Sequence, residues 1–532
     1  MNSERRYLLA IFLSFLVLLV FYTPLLRKPQ PQPLTNENPA ISKPQTVAPS
    51  AALQQAEART KTSRFYPLEN ELFSIRLTSE GAGVSELVLK DQQVKNNNAE
   101  HLIKTLGAET PAFVVEIQNQ KNSFAHADFK FEPESSNNQK ISFVYEVPGE
   151  IRMRKYYELI PGKFAFNIKL EIENLGRETL NAPLEFINQI YFGKDHSRYN
   201  QDQLESFMVP RMGKIKVVKE QKIRKNPVAM SEPILWQALT KHYFTVIVKP
   251  EKEAVSVETQ ESLDRESLEA ALRFAPETIN PGGKLETTFL VYAGPEYYEN
   301  LKHFGFEETL VQGIWGFFRH WLFLSLRFCQ RITGNYGLAI LLMTLLIKGL
   351  FSPFTHMSFE SMKKMQVIQP KLKAIQNQFK NDPTRLNKEM MELYKRHKVN
   401  PMGGCLPMVI QIPIFISFYQ VLAQFVELKG VSFLWIKDLT QPDRLAKIPY
   451  LGFDLNLLPL LMIGTMIWQQ KVTPQQSIGS PEQAKMMQFM PIIFGFMFYP
   501  LPSGLVLYWT LNNLLTVTHQ MLFHHKTKQA EE

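Results

Sequence analysis

The chain has 532 residues, room for about three to five folding units, and its 59 Lys+Arg stand against 50 Asp+Glu for a net charge of +9. Apolar residues are 45% and charged residues 20%, but they are unevenly spread: Arg27 to about Gly305 is polar with short alternating apolar runs, and about Ile332 to Phe523 is dominated by long apolar stretches. That division excludes a purely soluble enzyme and a purely membrane-embedded bundle, and two cysteines, Cys329 and Cys405, cannot supply a disulfide framework.

In chain order, Tyr7 to Leu26 is uncharged and long enough to cross a bilayer of about 30 Å as a helix. Arg5 and Arg6 before it favour a cytoplasmic N-terminus. The run exceeds the apolar core of a signal peptide and no small-x-small cleavage site follows, so residues 1–26 read as a retained anchor. Residues 27–64 read as a solvated linker; Pro29, Pro31, Pro33, Pro39, Pro44 and Pro49 sit among Gln, Asn and Ser and cannot bury a core.

Residues 65–305 read as one all-β domain. Phe164, Phe166, Ile168, Leu170 and Ile172 alternate with polar or small neighbours, as do Phe73, Ile75 and Leu77, the pair Phe129 and Phe131, and Phe143 and Tyr145. Gly81-Ala82-Gly83, Pro148-Gly149, Pro161-Gly162 and Pro281-Gly282-Gly283 punctuate these runs, the pattern of an antiparallel sandwich. Asp195-His196-Ser197 reads as a surface loop, because three adjacent residues cannot all face one substrate. No metal-ligand spacing or glycine-rich phosphate loop stands out.

Residues 306–331 read as an amphipathic helix in the membrane interface, with Leu310, Ile314, Trp315, Phe318, Trp321, Leu322 and Leu326 at helical spacing and Arg319, His320, Arg327 and Arg331 interleaved. Five spanning candidates follow within 332–524: Asn335–His356, Cys405–Val426, Leu455–Trp468, Met486–Tyr499 and Pro502–Phe523. With the anchor they make six crossings. Between Met357 and Gly404 ten Lys or Arg face four acids, which places that loop, and with it both chain termini, in the cytoplasm and the β-domain outside. The loop, 357–400, reads as a helical hairpin: Ser358 to Phe379, disturbed at Pro370, then a helix capped by Asp382-Pro383. Met362, Met365 and Met390 either offer an adaptable apolar surface or pack the hairpin together. Residues 525–532 form a short tail.

Lys348 stands alone among apolar residues. A cation at membrane depth costs roughly 2.5–3.5 kcal/mol on insertion scales, and no Asp or Glu lies inside the last five apolar spans; Glu427 and Asp454 are at their edges. Either Lys348 snorkels to the cytoplasmic surface, about 12 Å away at the helical rise, or it faces water within the protein. Thr344, Lys348 and Ser352 share one helix face, Gln411, Gln420 and Gln424 lie in the next span, and Trp509, Asn513, Thr516 and Gln520 form another stripe. Such faces can be ordinary interhelical hydrogen bonding; with an uncompensated lysine among them, a wetted groove for a transient, negatively charged guest is the better reading.

Several motifs carry a resemblance. Asn400-Pro401-Met402-Gly403-Gly404-Cys405-Leu406-Pro407, Gln411-Ile412-Pro413-Ile414-Phe415, Phe433-Leu434-Trp435-Ile436-Lys437-Asp438-Leu439 and Pro502-Ser503-Gly504-Leu505-Val506-Leu507-Tyr508-Trp509 resemble the YidC/Oxa/Alb family of membrane protein insertases, in the expected order over about Gly313 to Phe523. The anchor, tether and outer β-domain look like the Gram-negative form, whose β-domain is similar to galactose-mutarotase-like supersandwiches. The resemblance implies a polytopic α-helical protein with a five-helix insertase core and a periplasmic supersandwich, in the cell inner membrane. It implies a hydrophilic groove open to cytoplasm and lipid, with its positive residue at Lys348, where many members have Arg, and a polar residue at Thr344. Substrate contacts are implied at Ile412, Phe415 and Trp509, the last where Tyr is common. Ser352, Gln411 and Asn513 complete the expected polar set. Nascent membrane proteins, lipid, the Sec translocon and, through the hairpin, ribosome and signal recognition components are the implied partners; nucleic acid, metal and cofactor are not expected, nor is catalysis. A secondary transporter predicts midplane ion pairs and internal repeats, and neither is seen. A tethered carbohydrate-binding domain leaves five extra crossings unexplained.

Overall fold

The computed structural model describes residues 64–90, 100–104, 110–118, 123–192, 204–241, 243–262, 265–310, 316–379, 382–399, 406–448, 453–473 and 481–531. The expected anchor, all of the linker but its last residue, Asp195-His196-Ser197, Trp315 and the Asn400–Cys405 motif lie outside these residues. The chain divides into two compact units after Glu296.

The first unit is antiparallel β throughout its described sheets. Nine strands form the largest sheet, running in spatial order 216–219, 204–210, 234–241, 244–250, 284–295, 165–174, 151–159, 140–147 and 130–131. Five strands (228–230, 256–261, 267–273, 184–191, 114–117) form a second sheet, and four (65–69, 73–78, 84–89, 100–104) a third. The period-two pattern predicts these faces: along Ala165–Asn174 the apolar residues Phe166, Ile168, Leu170 and Ile172 are buried while Asn167, Lys169, Glu171 and Glu173 are half-buried. Phe129 lies just before its short strand, Lys130–Phe131, and outside it. Gly149, Gly162 and Gly282 take positive φ at the expected turns.

Aromatic stacking joins the two larger sheets: the rings of Phe186 and Phe289 lie 4.0 Å apart and nearly parallel. Two polar bridges span the same layer, Asn188 Nδ2 donating to Gln237 Oε1 (3.0 Å) and Ser206 bonded to Thr259 (2.8 Å). Lys155 is buried beside the 81–83 turn. Its ammonium donates to the carbonyls of Phe113 and Gly81, and Tyr157 Oη donates to that of Ala82 (2.7 Å). Ala82 and Phe113 are both left-handed, φ 41° and 59°. A Cβ on Gly81 would meet the Ala125 carbonyl oxygen at 2.3 Å, so only glycine fits this turn.

The second unit is helical: α1 (Tyr298–Phe304), α2 (Gly316–Thr333), α3 (Tyr336–Gln378), α4 (Pro383–Arg396), α5 (Leu406–Gln424), α6 (Leu457–Val472), α7 (Pro481–Phe498) and α8 (Ser503–Glu531). Sequence reading differs from it at three places. The expected interfacial helix begins as a 3-10 turn, Glu307–Leu310, before α2. The first spanning helix and the first arm of the hairpin are one 43-residue helix, α3, continuous through Pro353 and Pro370. The expected tail is the end of α8. Among the described residues α3 is the helix both long and apolar enough to cross a membrane; Ile410–Ala423 and Gln488–Phe498 are shorter apolar helices.

The caps follow the sequence. Asn335 accepts from the amides of Gly337 (2.7 Å) and Leu338 (3.3 Å) to start α3, and Asp382 accepts from Arg385 N (3.0 Å) to start α4. Just beyond α5, Glu427 accepts from Tyr298 N (2.8 Å) at the first turn of α1, and burial pushes its carboxyl above the usual range. Helix α2 carries an exposed apolar face of Phe317, Trp321, Leu324, Phe328 and Ile332, while Leu322, Phe323 and Leu326 turn inward. The ring of Phe323 stacks on Phe425 at 3.7 Å.

Candidate groove and its comparisons

Lys348 sits on the face of α3 turned toward α8. Its ammonium donates to Thr516 Oγ1 at 2.7 Å, and Thr516 in turn donates to the Asn512 carbonyl (2.6 Å). A lysine that snorkelled to the surface would lie along its own helix; this one reaches across to a neighbour whose hydroxyl is a neutral acceptor. No acidic residue lies inside the apolar spans, and among the described residues the hydrogen-bond partner of the ammonium is a neutral hydroxyl. Ser352, one turn along, is half-buried on the same stripe.

The remaining polar residues divide by what they bond. Gln411 on α5 donates to the Tyr508 hydroxyl on α8. Asn513 is buried and donates to Thr465 on α6 (3.4 Å). Gln520 accepts from Thr473 (3.0 Å) and donates to the Val472 carbonyl (3.1 Å). Thr344 is buried and donates to Ile340 of its own helix (2.6 Å). Asn513 and Gln520 therefore bond between helical segments, the ordinary interhelical role, whereas the Thr344 hydroxyl is spent within α3. Lys348 with Thr516, and Gln411 with Tyr508, are left as the polar pairs bridging α8 to α3 and to α5.

The apolar members gather at one wall. Ile412 is exposed. Phe415 meets Trp509 edge-on at 5.3 Å, and Phe498 (5.2 Å) and Phe494 (6.2 Å) close the cluster from α7. Trp509 Nε1 is buried and has no hydrogen-bond partner among the described residues. Tyr508, Phe494 and Phe498 are residues that sequence reading did not single out. The i, i+4 spacing of the two phenylalanines on an apolar helix was the available signal.

On the hairpin, Met365, Ile368, Leu372, Tyr394 and Val399 form a buried cluster, with Met390 and Leu393 partly buried against it. Met362 is also buried, whereas Met357 and Met391 are exposed. Of the three expected methionines, Met365 and Met390 thus pack the two arms together, and Met362 is buried outside that cluster.

A helical bundle with a lysine on a polar seam between two helices, an aromatic cluster and a basic hairpin, in one chain with an antiparallel β unit, is the frame of an α-helical membrane protein with an all-β domain. Two family models match the chain: the 60Kd inner membrane protein over residues 328–531 and the YidC periplasmic domain over 66–325. A membrane protein insertase YidC of Syntrophus aciditrophicus is 33% identical over 99% of this chain and 100% of its own. Another, of Syntrophobacter fumaroxidans, is 34% identical over 97% and 99%. A crystal structure of an active YidC insertase with its first transmembrane domain resolved is 18% identical over 89% of this chain and 97% of its own, with a TM-score of 0.37. The chain belongs to the YidC family, and it is a membrane protein insertase of the inner membrane whose all-β domain matches the family's periplasmic-domain model.

Proposed function

We propose that the seam between α3, α5 and α8 is the groove through which a guest's polar segment is moved outward. Lys348 supplies its charge, Gln411 and Ser352 its polar lining, and Ile412, Phe415 and Trp509 the wall along which the apolar segment passes to lipid. The observation that carries this is the Lys348–Thr516 bond, which turns the lysine to a neutral hydroxyl on the seam with α8, with no ion pair to an acid among the described residues. A guest tail bearing carboxylates gains there the partner that water would otherwise provide, so the desolvation barrier falls without any bond being made or broken. No enzymatic step, cofactor or metal is needed.

Six crossings put the β unit outside and the hairpin and both termini in the cytoplasm, where ten basic residues satisfy the positive-inside bias. The hairpin then receives nascent membrane proteins, from ribosome and signal recognition components, and the insertase works alone or beside the Sec translocon. The test is reconstitution of the purified chain in liposomes with a small single-span substrate. Insertion without nucleotide, and its loss when Lys348, Gln411 and Ser352 are replaced together by Ala, is the expected result. Insertion unaffected by that triple replacement would assign the path elsewhere.

A further inference from the structure

The loop after α5 holds an unusual residue. Phe433 and Ile436 exchange backbone hydrogen bonds of 2.9 Å, which makes Leu434-Trp435 a two-residue reversal. Leu434 takes φ 53°, the left-handed conformation that such a reversal ordinarily assigns to glycine. Its side chain is 73% exposed, so packing among the described residues does not explain a leucine there.

The platform beneath it is rigid. The Phe433 ring fills the notch left by Gly337, where a Cβ would lie 2.1 Å from Phe433 Cγ. Asn335 Nδ2 donates to the Ser432 carbonyl (3.4 Å), and Trp435 Nε1 donates to Asp443 Oδ2 (3.2 Å), which also accepts from Leu458 N of α6 (2.9 Å). The first amides of α8 are held too: Ser503 N donates to the Gln441 carbonyl (2.8 Å) and Gly504 N to that of Leu439 (2.9 Å). The loop thus ties together the N-terminal ends of α3, α6 and α8 and presents Leu434 from a fixed frame.

The frame lies at the end of the membrane-length helix α3. Ser432 touches Asn335, three residues past Ile332 on the exposed apolar face of α2. Through Asn335 the turn is thus bonded to the residues that follow that exposed helix. Lys437 is exposed beside it, and Lys429 to Lys437 contains no acid. The nearby acids are engaged within the chain: Glu427 by Tyr298 N, Asp438 by Thr440 N (2.8 Å) in a local turn, and Asp443 by Leu458 N.

We propose that the 432–437 turn is a membrane anchor of the outer leaflet, with Leu434 seated at the headgroup–acyl boundary and Lys437 among the phosphates. An apolar tip with a neighbouring cation is the chemistry of an interfacial contact. Its work is to fix the depth of the outer ends of α3, α6 and α8. The inference rests on the outward placement of this end of α3, and the test separates the two.

Cys329 and Cys405 are replaced by Ser, Leu434→Cys is labelled with a bimane fluorophore, and the full chain is reconstituted in phosphatidylcholine–phosphatidylglycerol vesicles, with insertase activity verified. The expected result is quenching by lipids carrying a nitroxide near the headgroup and protection from aqueous iodide. Full quenching by iodide with none by lipid, in an active labelled protein, would overturn the anchor. Sidedness is read in cells by labelling Ser432→Cys, in the same double-Ser background, with a membrane-impermeant thiol reagent. Labelling only from the cytoplasmic side would overturn the outward placement, and with it the outer-leaflet assignment, whatever the lipid contact shows.

Discussion

At the scale of single residues, Lys348 and Lys155 are the two lysines whose surroundings demand an account, and the accounts are opposite. Lys348 bonds a hydroxyl across a helix seam and keeps a charge that a guest can use. Lys348→Arg keeps that charge, so insertion should be nearly unchanged. Lys348→Ala should slow substrates with acidic translocated tails and spare those with neutral tails. A hydrated tail makes a partly exposed pair worth about 0–1 kcal/mol, so the loss should be about fivefold at most. The measurement is insertion of a matched substrate pair by each variant and by the unaltered protein, and an Ala variant that leaves both rates unchanged would remove the groove charge from the mechanism. Lys155, by contrast, sits in the β unit with only carbonyl acceptors, and burial pushes its ammonium down to about 7 from 10.5. Between those two values the unfolded chain holds a proton that the folded chain does not. The β unit should therefore gain stability as pH rises from about 7 toward 10.5, by up to about 1.4 kcal/mol per pH unit from this group, and gain nothing from it below 7. Urea unfolding of residues 64–296, followed by the fluorescence of Trp236, should show that slope. Lys155→Met should flatten it; an unchanged slope in that variant would assign the effect to other groups.

At the scale of elements, the hairpin is the part whose stability is most local. Its buried cluster, Met365, Ile368, Leu372, Tyr394 and Val399 with Met390 and Leu393, is drawn from its own two arms. Such a unit opens without disturbing anything else. Amide exchange should therefore be faster across Met362–Lys395 than in the parts of α3 and α8 that meet at Lys348, and removing Met362–Lys395 should abolish insertion. Equal protection, or full activity without the hairpin, would contradict this. The same region shows where sequence is informative and where it is not. Asp382-Pro383 marks the start of α4, because capping is decided by adjacent residues. The continuity of α3 past His356 is not visible locally: Pro353 and Pro370 each remove a helical hydrogen bond, and only the unbroken helix on either side shows that neighbours tolerate the loss. Strand faces were legible for the same reason as the cap, through a period of two at Ala165–Asn174. The polar stripes were legible as spacing, but not their allotment. That Asn513 bonds Thr465 while Thr516 meets Lys348 depends on how α8 is rotated between α3 and α6, and sequence carries no record of that angle.

At the scale of the whole molecule, the question is whether the β unit takes part in insertion. Its sheets close on each other through Phe186–Phe289 and the Asn188–Gln237 and Ser206–Thr259 bridges, so these buried polar pairs serve to join sheets. The proposed groove is drawn from helices of the second unit, α3, α5 and α8, with aromatic residues of α7 beside Trp509. Removal of the β unit should then leave the insertion of a single-span substrate largely intact. The cut matters. The last strand of the large sheet runs to Pro295, and α1 begins at Tyr298 with its first amide on Glu427. A deletion of Phe65–Glu296 removes the sheet whole and keeps that cap, whereas one ending at Val291 leaves four strand residues, Tyr292–Pro295, without their partners. The shorter deletion should therefore be the less stable of the two. If both proteins accumulate in the membrane and only the one cut at Glu296 inserts substrate, the boundary is confirmed. If the protein cut at Glu296 is stable and correctly inserted yet inactive, the β unit contributes directly to insertion.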